Sequence, residues 1–161
     1  MNKREIGVGT ADGVAMAGLF APPSGKGPGV ILYMDAFGPR PALDTMAARL
    51  AAHGYFVLVP DLFYRSGPYG PFDAKTAFAD PDKRAQLMAL IQSTTQEMTV
   101  RDTAAFLDAL AAEGASEPAG VVGYCMGGAR ALNAAAAWPE RIGAAASFHG
   151  GNLASDAPDT P

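Results

Sequence analysis

This sequence lacks the features of three large classes of protein. Its single cysteine, Cys125, cannot form an internal disulfide, so a reducing, cytoplasmic setting is expected. No apolar run approaches the roughly 20 residues of a membrane-spanning helix, and the positively charged start has no apolar stretch behind it, unlike a secretory signal. Basic residues number 12 against 16 acidic ones, without a lysine or arginine cluster that could follow a phosphate backbone. We therefore expect a protein that binds neither membranes nor nucleic acid.

Histidine is almost as scarce as cysteine, which limits the groups that the chain could bind. There are two histidines, His53 and His149, and no set of His, Cys, Asp and Glu has the spacing of a metal site. The sequence has neither the glycine fingerprint of a dinucleotide-binding turn nor a phosphate-binding loop. We therefore predict no metal and no cofactor.

The composition is that of one globular domain. The 161 residues are 49% hydrophobic and 17% charged. A chain of this length buries roughly 68 to 70% of its unfolded surface around a single core. We predict a single domain over residues 1–161.

Apolar runs and turn residues alternate in a regular order along the chain. The first two runs form a predicted antiparallel pair joined at Asp12-Gly13. Later runs without polar interruption are typical of strands buried on both faces, and helical stripes separate them. Predicted strands are 30–34, 55–61, 119–124 and 142–150; predicted helices are 41–53, 80–114 with a break between 93 and 100, and 127–138. This order predicts an α/β fold, with a mostly parallel sheet and helices on both faces.

Cys125 lies in the stretch VVGYCMGGARAL, between a predicted strand and a predicted helix. This is the position of a nucleophile on a sharp strand-to-helix turn, where Gly123, Gly127 and Gly128 would avoid steric collisions. The N–H groups of the following helix favour thiolate over thiol, and the N–H of Met126 could stabilise an oxyanion. The alternative is a buried, inert cysteine beside glycines that serve packing.

Three segments carry a resemblance to a known family. They are GYCMGG, YMDAFGPR and GYFVLVPDLFYR. Through these segments, the chain from about residue 30 to 151 resembles the dienelactone hydrolases of the α/β-hydrolase superfamily. The resemblance implies an α/β-hydrolase fold and an attack by Cys125 on the carbonyl of a small ester or lactone. It also implies an oxyanion hole formed by the N–H groups of Ala36 and Met126, and an arginine, Arg65, that binds a substrate carboxylate.

Other candidate residues have two interpretations each. Asp35 stands where the family often has a glutamate that interacts with the resting cysteine, but an aspartate there could instead cap the next loop. Phe37 and Tyr64 could form an aromatic pocket wall or simply pack. Arg65 could instead be solvated or pair with Asp61, which is expected to fix its loop through backbone N–H groups.

The acid and base of a hydrolase triad are not found in the sequence. His149 is the one histidine after Cys125, and it could line the pocket, act as base or pack, whereas His53 is expected to be structural. Because no residue matches the acid and base of the family, we expect an N-terminal portion of a longer hydrolase, without the last strands. The alternatives are an inactive module that associates with itself through its open sheet edge and a redox-sensitive thiol.

Overall fold

The described part of the chain, residues 3–156 and 160, folds into a mixed sheet flanked by helices in the computed structural model. The strands are β1 (Arg4–Thr10), β2 (Gly13–Phe20), β3 (Pro28–Tyr33), β4 (Phe56–Pro60), β5 (Ser116–Tyr124) and β6 (Ile142–Phe148). The helices are α1 (Pro41–Ala52), α2 (Pro81–Ser93), α3 (Gln96–Ala112) and α4 (Met126–Ala137), with a short 3₁₀ turn at Tyr64–Ser66. The predicted α/β class is confirmed.

The sheet has the strand order β1-β2-β4-β3-β5-β6. The first two strands pair antiparallel with each other, and β2 pairs antiparallel with β4. All remaining neighbours are parallel, as predicted. The central strands have near-continuous apolar sequences because both of their faces are covered, and all five residues of β4 are buried.

The strand order explains where a site can form. The crossover from β3 through α1 leads to β4 on one side of β3, whereas the crossovers through α3 and α4 lead in the opposite direction to β5 and β6. Because such crossovers are right-handed, this reversal puts α1 on one face of the sheet and α3 and α4 on the other. The carboxyl ends of β3 and β5 therefore border the crevice at which open α/β sheets bind ligands.

The structure refines two predicted boundaries. The long helical stretch does break near its middle, but the N-cap of α3 is Thr95, which accepts a hydrogen bond from the N–H of Met98 at 3.2 Å. Thr94 is the C-cap residue of α2, so the two helices meet between Ser93 and Gln96. Strand β5 begins at Ser116, three residues before the predicted start, because the N–H of Ser116 donates to the carbonyl oxygen of Gly27 at 2.9 Å.

Strand β6 forms an uncovered edge. It pairs with β5 on one side, and no other strand of the described residues pairs with it. Its residues 143–146 are exposed. Beside it, the aromatic rings of Tyr124 and Phe148 stack 5.0 Å apart over a groove of about 520 Å³. None of the helices within residues 3–156 is long and apolar enough to cross a membrane.

Candidate active site

Cys125 occupies a strained turn between β5 and α4. Its backbone has φ 54° and ψ −117°, in the half of conformational space that residues other than glycine rarely adopt and that is enriched at functional sites. The N–H of Cys125 donates to the carbonyl oxygen of Phe148 at 3.0 Å, which ties the turn to the end of β6. The cysteine is exposed, so the alternative of a buried cysteine is wrong.

The two glycines that flank Cys125 lie against each other. A Cβ atom added to Gly123 would overlap with the carbonyl group of Gly127 and would approach the nitrogen of Gly128 to 2.8 Å. Backbone atoms cannot rotate away as a side chain would. The turn therefore requires glycine at position 123, for the steric reason that the sequence pattern suggested.

The other glycines allow α4 to start close to the sheet. A Cβ on Gly127 would lie 2.5 Å from the carbonyl oxygens of Tyr33 and Met34, at the end of β3. A Cβ on Gly128 would lie 2.5 Å from Oγ of Ser147, at the end of β6. These contacts bring the first turn of α4 against the ends of both strands that neighbour β5.

The thiol lies on a pocket that also contains the two predicted oxyanion donors. Cys125, Met126 and Ala36 all line this pocket, which has a volume of about 480 Å³ and is referred to below as the thiol pocket. Met126 is the first residue of α4, where N–H groups have no acceptor within the helix and the positive end of the helix dipole lies. The arrangement can stabilise negative charge both on the sulfur and on an oxygen bound beside it.

The carboxylate of Asp35 is turned to its own loop. Oδ1 accepts a hydrogen bond from the N–H of Phe37 at 3.0 Å and an ion-paired one from Nη1 of Arg40 at 2.6 Å. Asp35 does not line the thiol pocket. Its contacts are those of the alternative in which the carboxylate caps the loop after β3.

Arg65 belongs to a cluster that holds the β1–β2 turn against α3. Its Nε donates to Asp12 at 2.7 Å and its Nη2 to Asp102 at 2.8 Å, while its guanidinium lies 4.4 Å from the centre of the Tyr64 ring. Burial raises the pKa of Asp102, and the ion pair with Arg65 opposes that rise. The pairing with Asp61 considered from the sequence is wrong, and the geometry does not support the implied role of Arg65 in binding substrate, since it does not line the thiol pocket.

The two aromatic candidates also lie outside the thiol pocket. The hydroxyl of Tyr64 hydrogen-bonds Thr10 Oγ1 at 2.6 Å and donates to Asp102 at 3.2 Å, so it is part of the same cluster as Arg65. Phe37 packs edge-on against Phe78 with 5.5 Å between ring centres. Phe78 lines the thiol pocket, whereas Phe37 and Tyr64 do not.

Neither histidine lines the thiol pocket. His149, with φ 42°, is exposed, and its ring centre lies 6.3 Å from that of Tyr124. His53 is exposed at the end of α1, which agrees with its predicted place outside the site.

Asp61 fixes its loop as predicted, because its Oδ1 accepts from the N–H of Phe63 at 2.9 Å and from the hydroxyl of Tyr69 at 2.6 Å.

One charged residue of the pocket was missed by the sequence analysis. Arg130 is 5% exposed, lines the thiol pocket and donates through Nη2 to the carbonyl oxygen of Thr94. The sequence pattern of α4 contained the information that Arg130 is buried. Arg130 shares the buried face of α4 with Gly127, Ala131 and Ala134, the i, i+3, i+4 and i+7 positions of a stripe that is otherwise made of small residues.

Comparisons with known proteins agree on one family. The model of the dienelactone hydrolase family matches residues 16–161. A carboxymethylenebutenolidase from a Pseudomonas species is 36% identical over 125 residues, which cover 74% of this chain and 49% of that protein. The carboxymethylenebutenolidase of Rhodococcus opacus is 33% identical over 119 residues, covering 74% of this chain and 42% of the relative.

Solved structures give the same result for the fold. A putative dienelactone hydrolase from Klebsiella pneumoniae superimposes with a TM-score of 0.79 at 22% identity, covering 99% of this chain and 64% of that one. A dienelactone hydrolase-like promiscuous phosphotriesterase from metagenomic libraries has a TM-score of 0.72 at 27% identity, covering 98% and 63%. The chain spans about half the length of the curated relatives it matches. By its sequence and its fold, the chain belongs to the dienelactone hydrolase family.

Proposed function

We propose that this chain carries the nucleophile of a hydrolase that cleaves small esters or lactones, and that Cys125 is this nucleophile. The observation that carries the proposal is the exposed thiol on its strained turn, in one pocket with Ala36 and Met126. A single reactive thiol also fits a reducing, cytoplasmic setting.

The reaction proceeds in two stages. The thiolate of Cys125 attacks the carbonyl carbon, and the resulting oxyanion accepts hydrogen bonds from the N–H groups of Met126 and Ala36. Collapse of this intermediate breaks the ester C–O bond, leaves a thioester on the sulfur and releases the alkoxide, which takes up a proton. Water then attacks the thioester, releasing the acid and restoring the thiol.

Neither histidine of the sequence, His53 or His149, lines the thiol pocket. The family resemblance implies a histidine base, and neither of these two matches it. The proposed substrate class is taken from the relatives. Several of them are named carboxymethylenebutenolidase, a name for an enzyme that acts on a butenolide, which is a lactone.

The proposal is tested by hydrolysis of p-nitrophenyl acetate. We expect turnover that Cys125→Ala abolishes and that His149→Ala leaves within about twofold of the unsubstituted protein, since a positioned base contributes at least a hundredfold. Turnover that persists in Cys125→Ala would refute the role of the thiol. Turnover that His149→Ala abolishes would make His149 the base.

The second candidate function is association with another copy of the chain through β6. The exposed stretch 143–146 and the unpaired edge of this strand favour it, because an uncovered edge offers backbone N–H and C=O groups to a second strand. In this case the module has no hydrolytic turnover of its own, and its mass in solution is that of a dimer.

A further inference from the structure

The thiol pocket has an apolar wall that the fold leaves uncovered. Phe78, which is 49% exposed, and Met88, which is 39% exposed, both line the pocket, together with the half-buried Ile91. These three side chains are referred to below as the apolar patch. Large apolar side chains that stay exposed together beside a candidate site indicate a surface that a ligand covers, because the ligand removes their apolar area from water.

The apolar patch exists because α2 is apolar on two adjacent faces. Leu87 and Leu90 are the buried residues of α2 and belong to the core. Met88 and Ile91 each follow one of them by one position, so they lie three residues apart and share the neighbouring face of the helix. One face therefore holds α2 against the core, while the other is directed to the thiol pocket.

Phe78 connects this face of α2 to one of the proposed oxyanion donors. Its ring packs edge-on against Phe37, with 5.5 Å between the ring centres, and Phe37 directly follows Ala36 in the sequence. Edge-on packing is a preferred geometry of aromatic pairs and fixes the orientation of the Phe78 ring. The apolar patch therefore starts on the side of the pocket where the N–H of Ala36 would hold the carbonyl oxygen.

The apolar patch continues beyond the thiol pocket. Phe78 and Met88 also line a second cavity of about 380 Å³. Its other walls are formed by Ala79, Pro81, Arg84 and Ala85. Because the two cavities share Phe78 and Met88, they adjoin at these side chains. A chain of carbon atoms attached at the thiol can therefore extend along Phe78 and Met88 from the first cavity into the second.

The geometry points to an acyl-chain subsite: we propose that the apolar patch binds the hydrocarbon chain of the acyl group while Cys125 attacks the ester carbonyl. The acyl group, unlike the alcohol, stays bonded to the sulfur as a thioester, so its contacts with the patch act in both stages of the reaction. Each methylene group that the patch removes from water contributes favourable free energy, and an alkyl chain has no charge that must lose its hydration.

This inference rests on the proposed function and names its substrate preference. Esters with a longer alkyl acyl chain are selected over acetate. Phe78 and Met88 are therefore specificity-determining residues, and we assign them no part in the chemical step.

Alkylation of Cys125 tests the apolar patch without requiring turnover. Cys125 is the only thiol of the sequence, so its reactions with N-methylmaleimide and with N-hexylmaleimide can be followed by mass spectrometry. Glutathione supplies the intrinsic ratio of the two rates. We expect the hexyl-to-methyl ratio of the protein to exceed that of glutathione about tenfold, which corresponds to the burial of about two methylene groups. Equal ratios in the protein and in glutathione overturn the proposal, and this comparison needs no variant.

Met88→Gln is expected to lower the ratio of the protein about threefold, because an amide replaces an apolar contact of similar length, whereas Met88→Leu retains most of it. Met16→Gln is the matched control. Met16 is 49% exposed and lines a separate cavity on β2, so the same substitution there leaves the ratio unchanged. A ratio that Met88→Gln does not lower, or that Met16→Gln lowers equally, overturns the proposal. So does an equal fall of both rates in Met88→Gln, because Met88 would then act on the thiol itself.

Hydrolysis of p-nitrophenyl esters assigns the bound chain to the acyl group. With the leaving group held constant, kcat/KM should rise from the acetate to the hexanoate, and Met88→Gln should flatten this rise more than Met16→Gln does. A rise that Met88→Gln leaves intact overturns the assignment to the acyl chain. Absence of turnover with every ester, or turnover that persists in Cys125→Ala, refutes the proposed function instead, while the maleimide ratio still decides whether the apolar patch binds a hydrocarbon chain.

Discussion

Gly123 and Gly127 lie so close together that the carbonyl group of Gly127 fills the space of a Cβ atom on Gly123. This contact closes the turn that presents Cys125, because it sets the end of β5 directly against the first turn of α4. The shape of the turn is thus enforced by backbone packing on both sides of the cysteine.

Gly123→Ala is expected to destabilise the fold as well as the site. Its methyl group would meet backbone atoms, so α4 must shift, and the free energy of unfolding falls by about 3 kcal/mol. Gly9→Ala is the control, since a Cβ there has no atom within 4 Å and the change stays within about 0.5 kcal/mol. Urea denaturation of both variants measures the difference, and equal stabilities would mean that the turn is not packed as described.

Arg65→Met is expected to destabilise the protein without changing the reactivity of the thiol. The side chain of Asp102 is 1% exposed, and the loss of its cation leaves a buried carboxylate, at a cost of about 3 kcal/mol. Arg101→Met removes an arginine that is 48% exposed and costs less than about 1 kcal/mol. If Arg65 bound a substrate carboxylate, its loss would slow the alkylation of Cys125 by iodoacetate relative to alkylation by the neutral iodoacetamide.

Adding Asp102→Asn to Arg65→Met provides the internal check. The neutral amide needs no cation, so the double variant should regain most of the stability that Arg65→Met loses. A double variant that is less stable than Arg65→Met would show that the ion pair is not the reason for the loss.

Asp61 should give the protein a pH-dependent loss of stability. Burial raises the pKa of Asp61 above its ordinary value, an effect that the hydrogen bonds from Tyr69 and Phe63 oppose. The folded state therefore binds the proton more tightly than the unfolded state, and stability falls as the pH rises from about 3.9 through the raised pKa. Asp61→Asn keeps an oxygen acceptor but has no charge to bury. The stability of this variant relative to the unsubstituted protein should therefore increase as the pH rises over this range.

Asp12→Asn should show the opposite sign. The hydrogen bond from Arg65 lowers the pKa of Asp12, so its contribution is present at neutral pH and is lost as the pH falls. Thermal denaturation of both variants between mildly acidic and neutral pH measures the two trends. Trends of the same sign would contradict the environments described for these two carboxylates.

The second candidate function, association through the uncovered edge of β6, predicts a dimer at high protein concentration. Light scattering should give a mass that increases toward the dimer, and Ala145→Lys should shift it back toward the monomer, because a charge on an edge strand opposes pairing. Ala111→Lys adds the same charge at an exposed position of α3 and should leave the mass unchanged. A monomeric mass at all concentrations would exclude pairing through this edge.

The sequence predicted the features that depend on local pattern. Uninterrupted apolar runs indicated the parallel strands, and the glycines around Cys125 indicated the turn. The partners of Arg65 were not predictable in this way, since Asp12 and Asp102 lie 53 and 37 residues away and meet it only in the folded sheet. The burial of Arg130 could have been inferred from its place in the helical stripe, but its contact with Thr94 depends on how α4 packs against the end of α2.

The central claim is that Cys125 forms a thioester with the acyl group of an ester. The most direct measurement is mass spectrometry of the protein, quenched in acid during reaction with p-nitrophenyl acetate. The account predicts a gain of one acetyl group, located by peptide mapping on the segment that contains Cys125 and absent from Cys125→Ala. Release of p-nitrophenol with no acetyl group on Cys125, or with the group on another residue, would contradict it.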